Sequence, residues 1–150
     1  MTLISRCSRY ISWFRPDYRI PAITNLPVGA LRARGVLALA LDVDHTLAPS
    51  RSRQLTPAVI AYCRQLRAAG FTLVIASNAR SDLRPLAATL HARLVPASTW
   101  RRKPFASYYR QVIAAAGYPP ERIAMVGNHP VNDVLGAKAA GLVTVKIARP

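Results

Sequence analysis

The stretch Val36-Leu-Ala-Leu-Ala-Leu-Asp-Val-Asp-His-Thr-Leu47 decides the fold of this 150-residue chain. Its first six residues form a continuous apolar run, which is typical of a parallel strand that is buried on both faces. Two carboxylates, Asp42 and Asp44, follow directly. The chain has 6 Asp and Glu residues against 21 Lys and Arg residues. Because acids are so scarce, two of them at the end of a buried strand point to a function.

Strand and helix patterns alternate along the rest of the chain. We predict that helices begin at Thr56-Pro57, near Asp82, at Pro104 and at an Asn132 cap, and that strands cover Val36–Asp42, Phe71–Ala76, Arg93–Val95, Ile123–Val126 and Val143–Ile147. Residues Tyr18–Pro27 read as an irregular connector and Leu31–Gly35 as a short basic segment. The alternation predicts an α/β sandwich of three layers with a mostly parallel sheet and right-handed crossovers.

The composition limits the function classes. Apolar residues make up 51 % of the chain, enough for a core, and the net charge is +15 with a pI near 11.4. Such a surplus indicates an anionic partner: nucleic acid, acidic lipid or a phosphorylated substrate. Cys7 and Cys63 have neither metal-ligand spacing nor a disulfide framework, so we expect a cytoplasmic protein. The longest apolar run is far shorter than a membrane span.

The first residues form an amphipathic pattern. We predict an N-terminal arm over residues 1–15 and one domain over 16–150. Two interpretations stay open: the apolar stripe packs on the domain, or it lies on an anionic membrane surface. An Arg- and Ser-rich start without acids also fits an organelle transit peptide. The stripe has helical spacing and consists of Leu3, Ile4, Cys7, Tyr10, Ile11 and Phe14.

Polar residues follow several predicted strands. Ser77-Asn78 follows the second strand, Arg102-Lys103-Pro104 lies in a later loop, and Gly127–Asp133 follows the fourth strand. Because the carboxyl ends of parallel strands meet at one edge of a sheet, these groups should converge. Carboxylates, a hydroxyl and an ammonium together suit phosphoryl transfer, in which an Asp attacks phosphorus and a second carboxylate moves the proton.

The sequence Asp42-Val-Asp-His-Thr46 resembles the DxDxT motif of the haloacid dehalogenase superfamily. Ser77, Lys103 and the loop Gly127–Asp133 match its second, third and fourth motifs in order. Phe14–Tyr18 and Val134–Leu142 look like the YqeG branch of subfamily IIIA, which includes phosphatidylglycerophosphate phosphatases. The resemblance implies a Rossmannoid fold without a cap domain. It also implies Mg²⁺-dependent hydrolysis of a phosphomonoester through an aspartyl-phosphate, with phosphatidylglycerophosphate as the first expected substrate.

The resemblance also assigns roles to residues. Asp42 would be the nucleophile, Asp44 the general acid and base, and Lys103 the cation that balances nucleophile and phosphate. The expected substrate-binding residues are Thr46, which would support the loop, together with Ser77, Asn78 and Lys103. The expected metal ligands are Asp42, Asp44 through its carbonyl, Asn128 and Asp133.

The fourth motif departs from the family pattern, which usually has Gly-Asp where this chain has Gly127-Asn128. An Asn offers a carbonyl oxygen but no charge. We therefore expect weaker Mg²⁺ binding, or a larger share of the site for Asp133. His45 and His129 are interpreted as loop residues, and Trp100-Arg101-Arg102 as a surface run.

The absence of room for a cap predicts an open site, which would admit a phosphate on a bulky molecule such as a lipid. A phosphatase for another phosphomonoester is the first alternative. The second is a basic binding module with weakened catalysis. No RNA-binding motif supports a nucleic-acid partner, and none is expected. The sequence does not determine the oligomeric state.

Overall fold

A computed structural model describes residues 11–49 and 52–148. These residues form one sheet of six parallel strands in the order β1-β6-β5-β2-β3-β4. The strands are β1 (Tyr18–Ile20), β2 (Ala38–Leu41), β3 (Thr72–Ala76), β4 (Arg93–Val95), β5 (Ile123–Gly127) and β6 (Val143–Ile147). The predicted α/β architecture is confirmed, and every strand pairing in the described residues is parallel.

Helices connect the strands in the predicted alternation. They are α1 (Val28–Ala33), α2 (Pro57–Ala68), α3 (Arg84–Thr89), α4 (Ala106–Ala116) and α5 (Gly136–Ala139), with a π-helical turn over Pro130–Leu135. Thr56 caps α2 as predicted, because its hydroxyl accepts from the Val59 N–H at 3.3 Å. The prediction of a cap at Asn132 was wrong. His129 is the cap residue, and its Nδ1 accepts from the N–H groups of Val131 and Asn132.

The two faces of β2 carry two different cores. Leu39 and Leu41 pack on one face with a cluster that includes Leu66 of α2. Ala38 and Ala40 point to the opposite face, where the cluster includes the fully buried Tyr108 and Tyr109 of α4. Small residues on this face leave room for the two phenol rings, so the alternation of Leu and Ala within the apolar run determines which helix packs on which side.

The edge strand β1 was predicted as an irregular connector. Tyr18 pairs with Val145 of β6, and the preceding Asp17 fixes this pairing. The Asp17 carboxylate accepts from the Thr144 N–H at 2.8 Å and from the Thr144 hydroxyl at 2.9 Å. A three-residue strand has too short a pattern for recognition, and its partners lie more than a hundred residues away. A second difference is α1, a helix with the buried Leu31, where a short basic segment was predicted.

The site edge of the sheet lies where the chain changes direction. From β2 the chain runs to β3 and β4 on one side and then returns to β5 and β6 on the other. Ligands of such sheets bind outside the carboxyl ends of the strands at this switch point, here between β2 and β5. In the described parts of residues 42–56 and 77–105, no second domain is inserted, as expected of a fold without a cap.

The predicted arm lies largely outside the described residues, including Leu3, Ile4, Cys7 and Tyr10 of its stripe. Residues 11–13 are helical, and Ile11 is 70 % exposed and Phe14 46 % exposed. No helix within residues 11–49 and 52–148 is long and apolar enough to cross a membrane.

Candidate active site

A cavity of about 400 Å³ opens at the carboxyl ends of β2, β3 and β5. Seven of the predicted site residues line it: Asp42, Asp44, Ser77, Asn78, Lys103, Asn128 and Asp133. Thr46 is not part of this lining. It is buried, and its N–H donates to the Val43 carbonyl, which fits support of the loop and not contact with a substrate.

Three buried charges form the centre of the cavity. The ammonium of Lys103 donates to Asp42 Oδ1 at 2.9 Å and to Asp133 Oδ1 at 2.6 Å. The side chains of Lys103 and Asp133 are each only 1 % exposed. We call Asp42, Lys103 and Asp133 the acid–lysine cluster. Its formal charge sums to −1, so it is one positive charge short of neutrality.

This imbalance is visible in the pKa values. Burial raises the pKa of Asp42, and the nearby Asp133 carboxylate adds to the rise, while Lys103 opposes it. Burial alone would lower the pKa of the Lys103 ammonium, but the carboxylates of Asp133 and Asp42 outweigh it and raise that pKa. Lys103 therefore stays charged, whereas Asp42 is held in an environment where its negative charge is costly.

Asp133 reaches the cluster because Gly127 has no side chain. A Cβ at Gly127 would lie 2.2 Å from Asp133 Oδ2 and 2.3 Å from its Cγ, closer than any real contact. Oδ2 in turn accepts from the N–H of His129 at 2.9 Å. The Asp133 carboxylate thus stabilises the loop after β5 through the His129 N–H and orients the Lys103 ammonium at the same time. Both of its oxygens have protein partners.

The loop after β3 holds the backbone of Lys103. Asn78 Oδ1 accepts from the Lys103 N–H at 2.8 Å, and its Nδ2 donates to the Lys103 carbonyl at 2.9 Å. One N–H of the Asn78 amide is left for the predicted phosphate contact. The Ser77 hydroxyl accepts from the Ala79 N–H at 3.2 Å, so its own hydrogen is available to a ligand in the cavity.

Helix α4 and the loop after β5 are joined below the site. The phenol of Tyr109 donates to the Asn132 carbonyl, and the phenol of Tyr108 donates to the Val95 carbonyl at 2.8 Å. A Cβ at Gly136 would lie 2.9 Å from Pro104 Cβ, so glycine lets α5 approach the segment that carries Lys103. These contacts were not predicted, because aromatic residues in a helix indicate only a core face.

Asp44 has a partner that the sequence analysis missed. Arg53 Nε lies 3.3 Å from Asp44 Oδ1, and its second guanidinium nitrogen donates to Oδ2 at 3.3 Å. Both side chains are 26 % exposed. Arg53 has a φ of +55° and His45 a φ of +59°, in the left-handed region that few residues other than glycine adopt. A positive φ at residues of this type can indicate a functional site, but only a structure reveals it.

The donor set of the cavity fits a small hard cation. Carboxylate oxygens of Asp42 and Asp133 and the amide oxygen of Asn128 are ligands that Mg²⁺ prefers. The cluster's formal charge of −1 and the high cost of the Asp42 charge also favour a further cation. No group of three or more His, Cys, Asp or Glu side chains in the described residues forms a metal cage. Mg²⁺ keeps several waters, so it does not require one.

The comparisons with known proteins identify relatives. The sequence model of the family of haloacid dehalogenase-like hydrolases matches residues 10–141. A phosphoserine phosphatase from Thermus thermophilus is 30 % identical over 68 % of this chain, which spans 49 % of that protein, about half its length. A probable phosphatase named YqeG from Bacillus subtilis is 23 % identical over 90 % of this chain and 77 % of its own.

Solved structures share the fold. A haloacid dehalogenase-like hydrolase from Brucella suis superimposes with a TM-score of 0.63 at 13 % identity, covering 83 % of this chain and 94 % of that one. The chain belongs to the family of haloacid dehalogenase-like hydrolases, since the family model spans most of its length. The resemblance to the YqeG phosphatase is weak, and the assignment to subfamily IIIA stays a prediction.

Proposed function

We propose that this haloacid dehalogenase-like hydrolase is a Mg²⁺-dependent phosphomonoesterase with Asp42 as its nucleophile. One observation carries the proposal: the Asp42 carboxylate lines the cavity with its charge only partly balanced by Lys103, 2.9 Å away. A carboxylate with an uncompensated charge is a competent nucleophile toward phosphorus. The two phosphatase relatives support the same reaction class.

Asp42 and Asp44 have separate roles in the two steps of hydrolysis. The Asp42 oxygen attacks phosphorus, and the bond from phosphorus to the leaving oxygen breaks. Asp44 gives its proton to that oxygen. Water then attacks the aspartyl-phosphate, Asp44 takes a proton from the water, and the carboxylate of Asp42 is regenerated with release of phosphate.

The remaining groups stabilise the charge of the transferred phosphoryl group. Lys103 lies beside the nucleophile and Ser77 offers a hydroxyl hydrogen to a phosphoryl oxygen. Asp42, Asn128, Asp133 and the Asp44 carbonyl would hold Mg²⁺. When bound, the ion supplies positive charge to the phosphoryl oxygens.

Phosphatidylglycerophosphate is the substrate that we propose first. The resemblance to the branch that includes phosphatidylglycerophosphate phosphatases suggests this substrate. The net charge of +15 and a cavity over which the described residues insert no second domain fit a phosphate on a bulky lipid. We further propose a cytoplasmic protein that binds the membrane surface peripherally. The exposed Ile11, Trp13 and Phe14 at the start of the described chain support this proposal.

A phosphate-release assay tests the reaction and the substrate together. Phosphatidylglycerophosphate in anionic vesicles, phosphoserine and a generic phosphomonoester are each supplied with and without Mg²⁺. We expect release that depends on Mg²⁺ and is lost in Asp42→Asn, while Glu121→Gln, which removes an exposed carboxylate, behaves like the wild type. Release from soluble esters but not from the lipid would refute the lipid substrate. Binding of nucleic acid without any turnover would favour the basic module.

Deletion of residues 1–12 tests the arm. If the arm lies on the membrane, the shortened protein loses vesicle binding and keeps its activity on soluble esters. If it unfolds or precipitates, the arm packs on the domain.

A further inference from the structure

Arg53 separates two cavities. It lines the active-site cavity together with Asp44. It also lines a neighbouring cleft of about 630 Å³, whose walls include Leu55, Leu83 and Leu86. Among the residues that the structure describes as lining these two spaces, Arg53 is the one they share. A molecule that extends directly from the active-site cavity into the cleft passes the Arg53 side chain.

The ion pair between Arg53 and Asp44 has a geometry that a bound anion could displace. Its two contacts of 3.3 Å are longer than the usual hydrogen bond, and both side chains are partly exposed. Arg53 Nε and Asp44 Oδ1 are buried and form no hydrogen bond to any residue that the structure describes, so an anion with better geometry can replace the carboxylate. Arg53 is also held at a φ of +55°, an unfavourable backbone conformation that is expected to persist where the side chain has a task.

We propose that Arg53 is a subsite for a second anionic group on the leaving-group side of the substrate. This inference rests on the proposed phosphatase function. With the phosphoryl group at Asp42 and Lys103, the leaving oxygen must face Asp44, which gives it a proton. Any group a few bonds beyond that oxygen meets the guanidinium that lies against Asp44.

The subsite couples specificity to catalysis. In the free protein both oxygens of Asp44 face guanidinium nitrogens of Arg53. A substrate anion that binds Arg53 releases an oxygen of Asp44 to the leaving group. The chemical class follows: phosphomonoesters whose leaving group carries a carboxylate or a phosphodiester. Arg53 positions Asp44 and selects the substrate.

Matched substrate pairs test the subsite. The soluble pair is 3-phosphoglycerate, which carries a carboxylate, and glycerol 3-phosphate, which does not. The lipid pair is phosphatidylglycerophosphate and phosphatidic acid in phosphatidylcholine vesicles. We expect the wild type to favour the first member of at least one pair. In Arg53→Gln the ratio of the two kcat/KM values should fall about tenfold, the effect of one lost charge-assisted hydrogen bond. The pair that shows the preference distinguishes a carboxylate from a lipid phosphodiester.

Two further variants make the test specific. Arg53→Lys keeps the charge but not the forked geometry and should recover only part of the ratio. Arg110→Gln removes an exposed arginine of α4 that lines neither space and should leave the ratio unchanged. An Arg53→Gln variant that slows both members equally, or leaves the ratio intact, would overturn the subsite.

Binding to Asp42→Asn separates this inference from the proposed function. Calorimetry with the same substrate pairs needs no turnover. If the wild type hydrolyses none of the substrates but Asp42→Asn binds the anionic members more tightly, and Asp42→Asn with Arg53→Gln does not, the phosphatase proposal fails and the subsite stands. Equal binding of both members overturns the subsite.

Discussion

Two aspartates of this protein each form an ion pair with a basic side chain, and folding shifts their pKa values in opposite directions. Asp42 belongs to the acid–lysine cluster at the carboxyl end of β2. Asp17 belongs to what we call the edge anchor, in which it binds Thr144 and forms an ion pair with Arg34 at 3.2 Å. Burial by itself would raise the pKa of both carboxyls. At Asp17 the two Thr144 donors and Arg34 overcome burial and hold the pKa below its usual value, whereas at Asp42 burial and Asp133 win and the pKa is raised.

The difference lies in the depth of burial and in the neighbours of each carboxylate. Asp42 is 8 % exposed and has the Asp133 carboxylate beside it, whereas the Asp17 side chain is 20 % exposed and binds Thr144 and Arg34. In the edge anchor, hydrogen bonds and an ion pair satisfy the Asp17 charge, and the contacts to Thr144 stabilise the pairing of β1 with β6. The cluster leaves part of the Asp42 charge unsatisfied, which costs stability and creates the reactivity and cation affinity that the proposed function requires. Substitutions in the two regions should therefore separate activity from stability.

The largest expected effect is that of Asp42→Asn on activity. An amide cannot attack phosphorus, so phosphate release should fall at least about 10³-fold. The free energy of unfolding at pH 7, measured in urea, should stay equal or increase, because a costly buried charge is removed. Lower stability together with retained activity would place Asp42 with the anchor and reverse the comparison.

The pH dependence of stability follows from the sign of the two shifts. The raised pKa of Asp42 means that its charge costs stability at neutral pH, and this cost disappears as the pH falls below the unfolded carboxyl pKa of about 3.9. The advantage of Asp42→Asn over the wild type should shrink over the same range. An advantage that grows in acid would contradict the raised pKa.

Gly127→Ala should break the cluster and leave the anchor intact. The new methyl group overlaps Asp133, so the carboxylate must leave Gly127 and with it Lys103. We expect a loss of about 1–3 kcal/mol from overpacking and at least a tenfold loss of phosphate release. Gly29→Ala is the matched control, since, apart from its chain neighbours and the backbone of its own helix, no atom lies within 4 Å of its added methyl group. Activity and stability like the wild type's in Gly127→Ala would contradict the close approach.

Asp17→Ala should break the anchor and leave the cluster intact. Loss of its charge-assisted hydrogen bonds to Thr144 costs about 1.5–3 kcal/mol. At about 2–4 °C per kcal/mol for a chain of this size, calorimetry should show a clear fall in Tm. Phosphate release below the transition should not change. Because the pKa of Asp17 is lowered on folding, its contribution is present above the unfolded pKa and lost as the pH falls through the folded one. The curves of the two proteins should thus converge in acid.

The smallest expected effect is that of Asn128→Asp. It adds a carboxylate to the cluster side of the cavity, so the Mg²⁺ concentration for half-maximal activity should fall about tenfold. Without Mg²⁺, the variant should unfold at a lower temperature than the wild type, and added Mg²⁺ should raise its Tm by the larger amount. An unchanged response to Mg²⁺ in both measurements would mean that Asn128 points away from the metal.

The sequence predicted the centre of the fold because those signals are local. The apolar run before Asp42 indicated β2, and short patterns indicated β3 to β6. The same patterns put Ser77 and the Gly127–Asp133 loop at strand ends, and hence at one edge of the sheet. The motif order added Lys103. A buried strand and a polar strand end are each written in a few adjacent residues, so no knowledge of the rest of the chain is needed.

Tertiary structure alone decided the pairings between distant residues. β1 pairs with β6, and Asp17 binds Thr144, across more than a hundred residues. Arg53 faces Asp44 although 21 cations compete for 6 acids in this chain. Asn78 binds the backbone of Lys103, and Asp133 leaves no room for a side chain at Gly127. Neither contact produces a periodic pattern in the sequence. Hydrophobic periodicity reports which face of an element is buried. Hydrogen bonds and ion pairs depend on the position and direction of single side chains, which exist only once the elements have packed.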